Sequence, residues 1–189
     1  LMFGMNTSVN TSFTVQSQGG TIDTEKNIVV VHGDFTGAGG MKKTGSGLLV
    51  LSGTNTQSGG FTVSEGTLQA SRDSNLGGGP LTIGNARFQA GGSFNSNRQL
   101  IVQHQNSVFD LQDNSVLWQG AVTGNGALNL TGSGHMYLTG ANTYTGATTL
   151  TGGMLTGNTT SIQGDVVNGG TVEFVQDTTG TYSGAMSGT

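Results

Sequence analysis

Three histidines and ten acidic side chains are the residues of this chain best suited to move a proton or hold a metal ion. His32, His104 and His135 lie far apart, with no cysteine in the chain and no paired-carboxylate spacing beside them. Metal sites need such ligands at short, repeated spacings, so no metal and no cofactor is expected. Asp23 and Asp110 occupy matching places before turns, 110 − 23 = 87 residues apart, and Asn27 and Asn114 match in the same way. Arg72 and Asp73 in `SRDSN` read as turn residues. The segment `TGSG` occurs twice but lacks the Lys-Ser/Thr ending of a phosphate loop, and `GGSFNSNRQ` holds no nucleophile elbow. The Gly-Gly-x-Gly-x-Asp run of calcium-binding β-rolls does not occur. Trp118, Tyr137, Tyr144 and Tyr182 could form an exposed aromatic strip for stacking on glycans, although Trp118 matches Val31 and equally suits a buried position. No catalytic, cofactor-binding or metal-binding residue is assigned.

Without a chemical centre, the composition has to speak for the scaffold. Of 189 residues, 35 are glycine and one is proline, with charged residues at 8% and hydrophobic ones at 33%. A disordered chain would carry far more charge. Collagen would show a Gly-X-Y period. The net charge of −4, with six Lys and Arg spread thinly, offers no basic patch for nucleic acid. No apolar run approaches the roughly 18 residues of a membrane span. The opening `LMFGMNTSVN` lacks the charged and apolar regions of a signal peptide and reads as an internal start.

The chain repeats itself at an offset of 87. Between residues 44 and 69, 12 of 26 positions are identical to their partners 87 residues on, from Thr44 and Thr131 to Leu68 and Leu155. Chance would give about one in ten. The copies run over about 13–98 and 100–168. A third start at about 169–189 ends in `GAMSGT`, which reads as cut before a further `TGSG`. All of 1–189 is expected to form one continuous body.

Turn signals fall roughly every 20 to 25 residues, which gives about four coils per 87-residue repeat. Strand candidates such as `LLVLSG`, `FTVSEG`, `TLQAS` and `SVLWQG` follow one another with no capped helical period. Comparing `GLLVLSG` with `GHMYLTG` separates the faces. Leu49 and Leu51 match Met136 and Leu138 and should point inward, while Leu48 and Val50 match His135 and Tyr137 and should point outward. The same parity places Val63, Leu150, Leu68 and Leu155 inside. An all-β solenoid of stacked coils satisfies this pattern. Four coils at ~4.8 Å would separate Asp23 from Asp110 by about 19 Å, too far for an acid/base pair and in keeping with turn capping. Asn55 and Asn142 are expected either to stack as an Asn ladder or to occupy left-handed corners.

At `TGSGLLVLSGTNTQSGGFTVSEGTLQA` and `TGSGHMYLTGANTYTGATTLTGGML` the chain resembles the passenger-associated transport repeat of bacterial autotransporters. The segments `GGTID`, `SNLGGGPLTI` and `TVEFVQDTTGTYSGAMSG` resemble the links between such repeats. Gln57 stands where that motif prefers the Tyr kept as Tyr144, and Leu130 stands where it prefers the Lys kept as Lys43. These positions are read as outward, leaving the inward leucines untouched.

The resemblance implies a right-handed, single-stranded parallel β-helix. It also implies export through the periplasm and outer membrane to the cell surface, with a C-terminal outer-membrane β-barrel of the same parent polypeptide as partner. The expected function is a structural stalk that supports passenger folding and secretion, without catalysis. The alternatives are an adhesin or self-associating surface protein with a host-cell or glycan ligand, and, further off, a carbohydrate-active β-helix.

Overall fold

Short alternating segments separated by glycine-rich turns each have one apolar face to bury, and here they bury it against a shared lumen by stacking coil on coil. The computed structural model describes residues 1–188, and every strand pairing among them is parallel. Each coil of the solenoid passes through three faces. The first face is a sheet of ten strands, running from Thr7–Val9 through Ile28–Val31 and Leu48–Leu51 to Met186–Gly188. Its nine steps range from 18 residues (Thr148 to Val166) to 22 (Thr7 to Val29).

The second face begins with two strands, Phe13–Thr14 and Phe35–Thr36, and resumes with five, from Phe94–Ser96 to Thr171–Phe174. The third carries six strands, from Gly20–Asp23 to Val122–Thr123. The one helical element among the described residues is the 3-10 turn Asp73–Leu76.

Alternation puts one apolar column inside each face. On the first face Val29, Leu49, Leu68, Phe88, Phe109, Leu130 and Leu150 stand in register and are buried. The rings of Phe88 and Phe109 meet at 4.9 Å, and Phe109 meets Trp118 edge-on at 5.6 Å. The parity read from the two copies is correct: Leu49, Leu51, Val63, Leu68, Met136, Leu138, Leu150 and Leu155 all point into this lumen. Outward, Leu48, Val50 and His135 are half-buried and Tyr137 is 37% exposed.

The 87-residue offset is four coils and one face. From Leu49 the first-face column climbs four steps to Leu130, which takes 130 − 49 = 81 residues. Six more residues carry the chain round to Met136, on the second face. Matching strands of the two copies therefore lie on different faces. Met41–Thr44 and Leu48–Leu51 occupy the third and first faces, whereas Leu128–Thr131 and His135–Leu138 occupy the first and second. The expected third start lies on the last coils, apart from Thr189, which falls outside the described residues.

Candidate functional site

The structure keeps the chemistry-bearing residues apart. His32 shares a hydrogen bond with Ser52 Oγ at 2.7 Å, and His104 Nδ1 accepts the Asn106 N–H at 3.1 Å. His135 lies on the outward second face, its ring stacked on Tyr137 at 3.8 Å and its Nε2 at 2.8 Å from Thr156 Oγ1. Thr156 in turn donates to Glu173 at 3.0 Å. Burial holds the His135 imidazole below its ordinary pKa, against the pull of the Glu173 carboxylate. Among the described residues, no three His, Cys, Asp or Glu side chains are grouped to hold a metal ion.

Asp23 and Asp110 cap turns. Asp23 Oδ1 accepts the Glu25 N–H at 2.8 Å and Asp110 Oδ1 accepts the Gln112 N–H at 3.1 Å. The residues so capped, Glu25 and Gln112, are the non-glycine residues with positive φ among the described residues, at 48° and 55°. The left-handed corners thus fall here and not at Asn55 or Asn142. Asn27 and Asn114 match as well, each donating its side-chain amide to a carbonyl of the preceding coil, Phe3 and Ala90. Burial alone would push the Asp110 carboxyl up. The Gln112 backbone N–H, with Gln89, Arg87 and the Gln112 side chain, outweighs it and holds the group below the usual carboxylate range.

Two sequence readings are corrected. Trp118 and Tyr144 are buried in the lumen, so they cannot join Tyr137 and Tyr182 in an exposed strip. Lys43, Gln57, Leu130 and Tyr144, read as outward, all point inward. The motif variation at these positions is therefore internal repacking. Copy two pairs Tyr144 with Thr148, the hydroxyls 2.6 Å apart, where copy one has Gln57 and Phe61. The aromatic ring has changed places, which keeps the summed volume similar.

Lys43 is completely enclosed. Its Nζ lies 2.8 Å from Thr24 Oγ1, 2.9 Å from the Thr44 carbonyl, 2.6 Å from the Gly45 carbonyl and 3.2 Å from the Glu65 carbonyl. Burial lowers its pKa from 10.5 to about 8, although Asp23 and Glu65 pull the other way. The sign of the linkage follows. Below about 8 both folded and unfolded chains hold the proton, and the fold bears the whole cost of enclosing a charge. Between about 8 and 10.5 the folded chain releases it first, so stability rises with pH. Replacing Lys43 with Leu, the residue that copy two has as Leu130, removes the titration. Urea midpoints of wild type and Lys43→Leu, taken at neutral pH and across that window, should show the wild type gaining on the variant as pH rises. A constant gap would mean that Lys43 is not enclosed.

Arg98 was missed in the sequence, where nothing separates it from a surface arginine. Its guanidinium meets Asp73 Oδ1 at 2.7 Å and the carbonyls of Asp73, Leu76, Gly77 and Gly79 at 2.6 to 3.3 Å. It closes the coil corner after the 3-10 turn.

What remains is the repeated segment itself. In each copy the chain leaves a first strand at Leu51 or Leu138, crosses a face with one buried Asn and no strand, and re-enters at Phe61 or Thr148. Matching backbone bonds hold both crossings: Ser52 N to Val31 O and Thr139 N to Trp118 O, then Thr56 N to Phe35 O and Thr143 N to Val122 O. The sequence model of the passenger-associated-transport-repeat matches residues 41–70 and 122–156, the same two crossings with their flanking strands. Both stretches are similar to the passenger-associated transport repeat. These matches are consistent with a segment of an autotransporter passenger domain, a family that implies export to the cell surface or extracellular space and a C-terminal β-barrel in the parent polypeptide. Neither a curated protein nor a solved structure matches the chain. Within each matched stretch the Gly-Ser-Gly turn, Leu51/Leu138, Leu68/Leu155 and the Asn are shared, while the outward residues Leu48/His135 and Val50/Tyr137 differ.

Proposed function

We propose that this chain is a length of β-helical stalk in a surface-displayed passenger, supporting passenger folding and secretion without performing catalysis. The observation that carries the reading is where the repetition lies. On the strands, Leu51/Leu138 and Leu68/Leu155 are shared and buried, other inward positions exchange one core-filling residue for another, and outward positions such as Leu48/His135 and Val50/Tyr137 differ in kind. The turns recur most fully, with Gly45, Gly47, Gly53, Gly59 and Gly66 repeated as Gly132, Gly134, Gly140, Gly146 and Gly153, and recurring turns between apolar-faced strands are what a stacked scaffold needs. Each new coil hydrogen-bonds to the edge of the last, so chain entropy is overcome coil by coil.

Excision of one repeat tests the reading. Joining Lys43 to Thr131 within the parent polypeptide removes residues 44–130, about 4⅓ coils or roughly 21 Å of length at ~4.8 Å per coil. His135–Leu138 then takes the place of Leu48–Leu51 on Ile28–Val31, and everything after it turns by one face. A stalk should still be displayed and protease-resistant, only shorter by small-angle scattering. Loss of a cell-binding or hydrolytic activity with display intact would reject it.

An adhesive reading rests on one surface feature. Ile28, 48% exposed, lies beside half-buried Leu48, and Val30 lies beside Val50, which makes an apolar outward patch on the first face. Self-association through that patch would appear as concentration-dependent sedimentation that Val50→Lys abolishes.

A further inference from the structure

Where each repeat crosses a face, a side chain does the work of a strand. Asn55 Oδ1 accepts the Phe35 N–H of the preceding coil at 2.8 Å, and its Nδ2 donates to the Asn75 carbonyl of the following coil. Asn142 Oδ1 accepts the Val122 N–H at 2.7 Å, and its Nδ2 donates to the Ser161 carbonyl at 2.6 Å. Both side chains are buried. Their backbone N–H groups add a bond to the following coil, to Ser74 O and Thr160 O.

We infer that this Asn is a register clamp, the residue through which a transport repeat fixes how the next coil docks. The need is physical. A strand's register is set where its alternating apolar residues must face the core. The segments that dock here carry no such alternation: one is the 3-10 turn Asp73–Leu76 and the other is the turn region 158–163. The Asn amide supplies the missing specification, since it offers an acceptor to one coil and a donor to the other. A slip by one residue would present it with the wrong groups and leave buried polar atoms unpaired.

The second observation is that the clamp is indifferent to its face. Because the repeat advances four coils and one face, Asn55 sits on the second face, between Phe35–Thr36 and the 3-10 turn. Asn142 sits on the third, above Val122–Thr123. Different neighbours surround the two, yet the pair of bonds is the same. Each clamp also ends a ladder: the two-stranded sheet of the second face stops below Asn55 and the six-stranded sheet of the third stops below Asn142. The repeat is thus the device that lets a regular sheet give way to an irregular coil without loss of register.

Hydrogen exchange on the 189-residue chain tests the inference, independently of any role in secretion. Asn142→Asp keeps the acceptor for Val122 N–H and, when ionised, loses the donor to Ser161. Exchange in 158–163 should quicken about 10- to 100-fold at neutral pH, with 73–77 unchanged. As the medium is acidified and the carboxyl protonates, its O–H can donate in place of the amide, and protection of 158–163 should return relative to wild type. Asn55→Asp should do the same to 73–77 and leave 158–163 alone. Asn142→Ala should loosen 158–163 with no recovery in acid. Even loosening of the whole chain, unchanged protection of the following coil, or no recovery of the Asp variants in acid would each overturn the clamp.

Discussion

Leu138→Asp is expected to leave the chain without a cooperative fold, while Tyr137→Ser on the same strand melts close to wild type. Leu138 is fully enclosed and lies in register with Trp118, so an aspartate there has no water and no partner. An ionised carboxylate in that position costs several kcal/mol, comparable with the whole stability of an ordinary domain at about 5–15 kcal/mol. Leu138→Ala, which leaves only a cavity, should cost about 2–5 kcal/mol and still fold. Tyr137 points outward and loses mainly its stacking on His135, worth below about 1 kcal/mol. Circular dichroism and thermal melts of the three variants, with Leu51→Asp as the matching change in copy one, give the ranking. A Tyr137→Ser chain that unfolds while Leu138→Asp stays folded would invert the strand faces.

That ranking is legible in the sequence alone, because one period-2 comparison of `GLLVLSG` with `GHMYLTG` separates constantly apolar from variable positions. Residue type misleads at Lys43 on the strand Met41–Thr44 and at Gln57 in the crossing. Lys43 and Gln57 look solvent-facing by residue type, and only the enclosed cluster of oxygens around the Lys43 ammonium explains a buried charge. Turn geometry was read on the wrong residue for a similar reason. Asn favours left-handed corners by propensity, yet the corners fall on Glu25 and Gln112, each placed by the aspartate two residues earlier. The shift of a whole repeat by one face was not legible at all. A count of about four coils cannot distinguish 81 residues from 87, and the six-residue remainder shows only once the partners of Leu49 and Met136 are known. The Asn itself recurs in the sequence, but its partners are backbone groups some 20 residues away, which no composition or spacing reveals.

The glycines carry the second large effect, and there the limit is space. A Cβ added at Gly120 would stand 1.9 Å from the Arg98 carbonyl oxygen, and one at Gly33, its counterpart 87 residues earlier, would stand 1.9 Å from the Thr11 carbonyl. The next coil repeats the squeeze, since a Cβ at Gly53 or Gly140 would meet Gly33 O at 2.4 Å or Gly120 O at 2.5 Å. None of the four has a positive φ, so alanine is excluded by the approach of two backbones and not by a dihedral. Nor can the lower coil give way easily under Gly120. The buried Arg98 side chain is tied to half-exposed Asp73 Oδ1 and to Gly79 O, so moving its carbonyl strains those bonds. Overpacking of this kind costs about 1–3 kcal/mol, and Gly120→Ala should fall near the upper end, with the melting midpoint down by about 5–10 °C for a chain of this size. Gly78→Ala is the control: its Cβ would meet nothing nearer than 3.7 Å and its φ is not positive, so the melt should move by less than about 2 °C, in either direction. If Gly120→Ala melts with Gly78→Ala, the coils at that corner are farther apart than stacked backbones require, and the tight glycine seam of the solenoid is wrong.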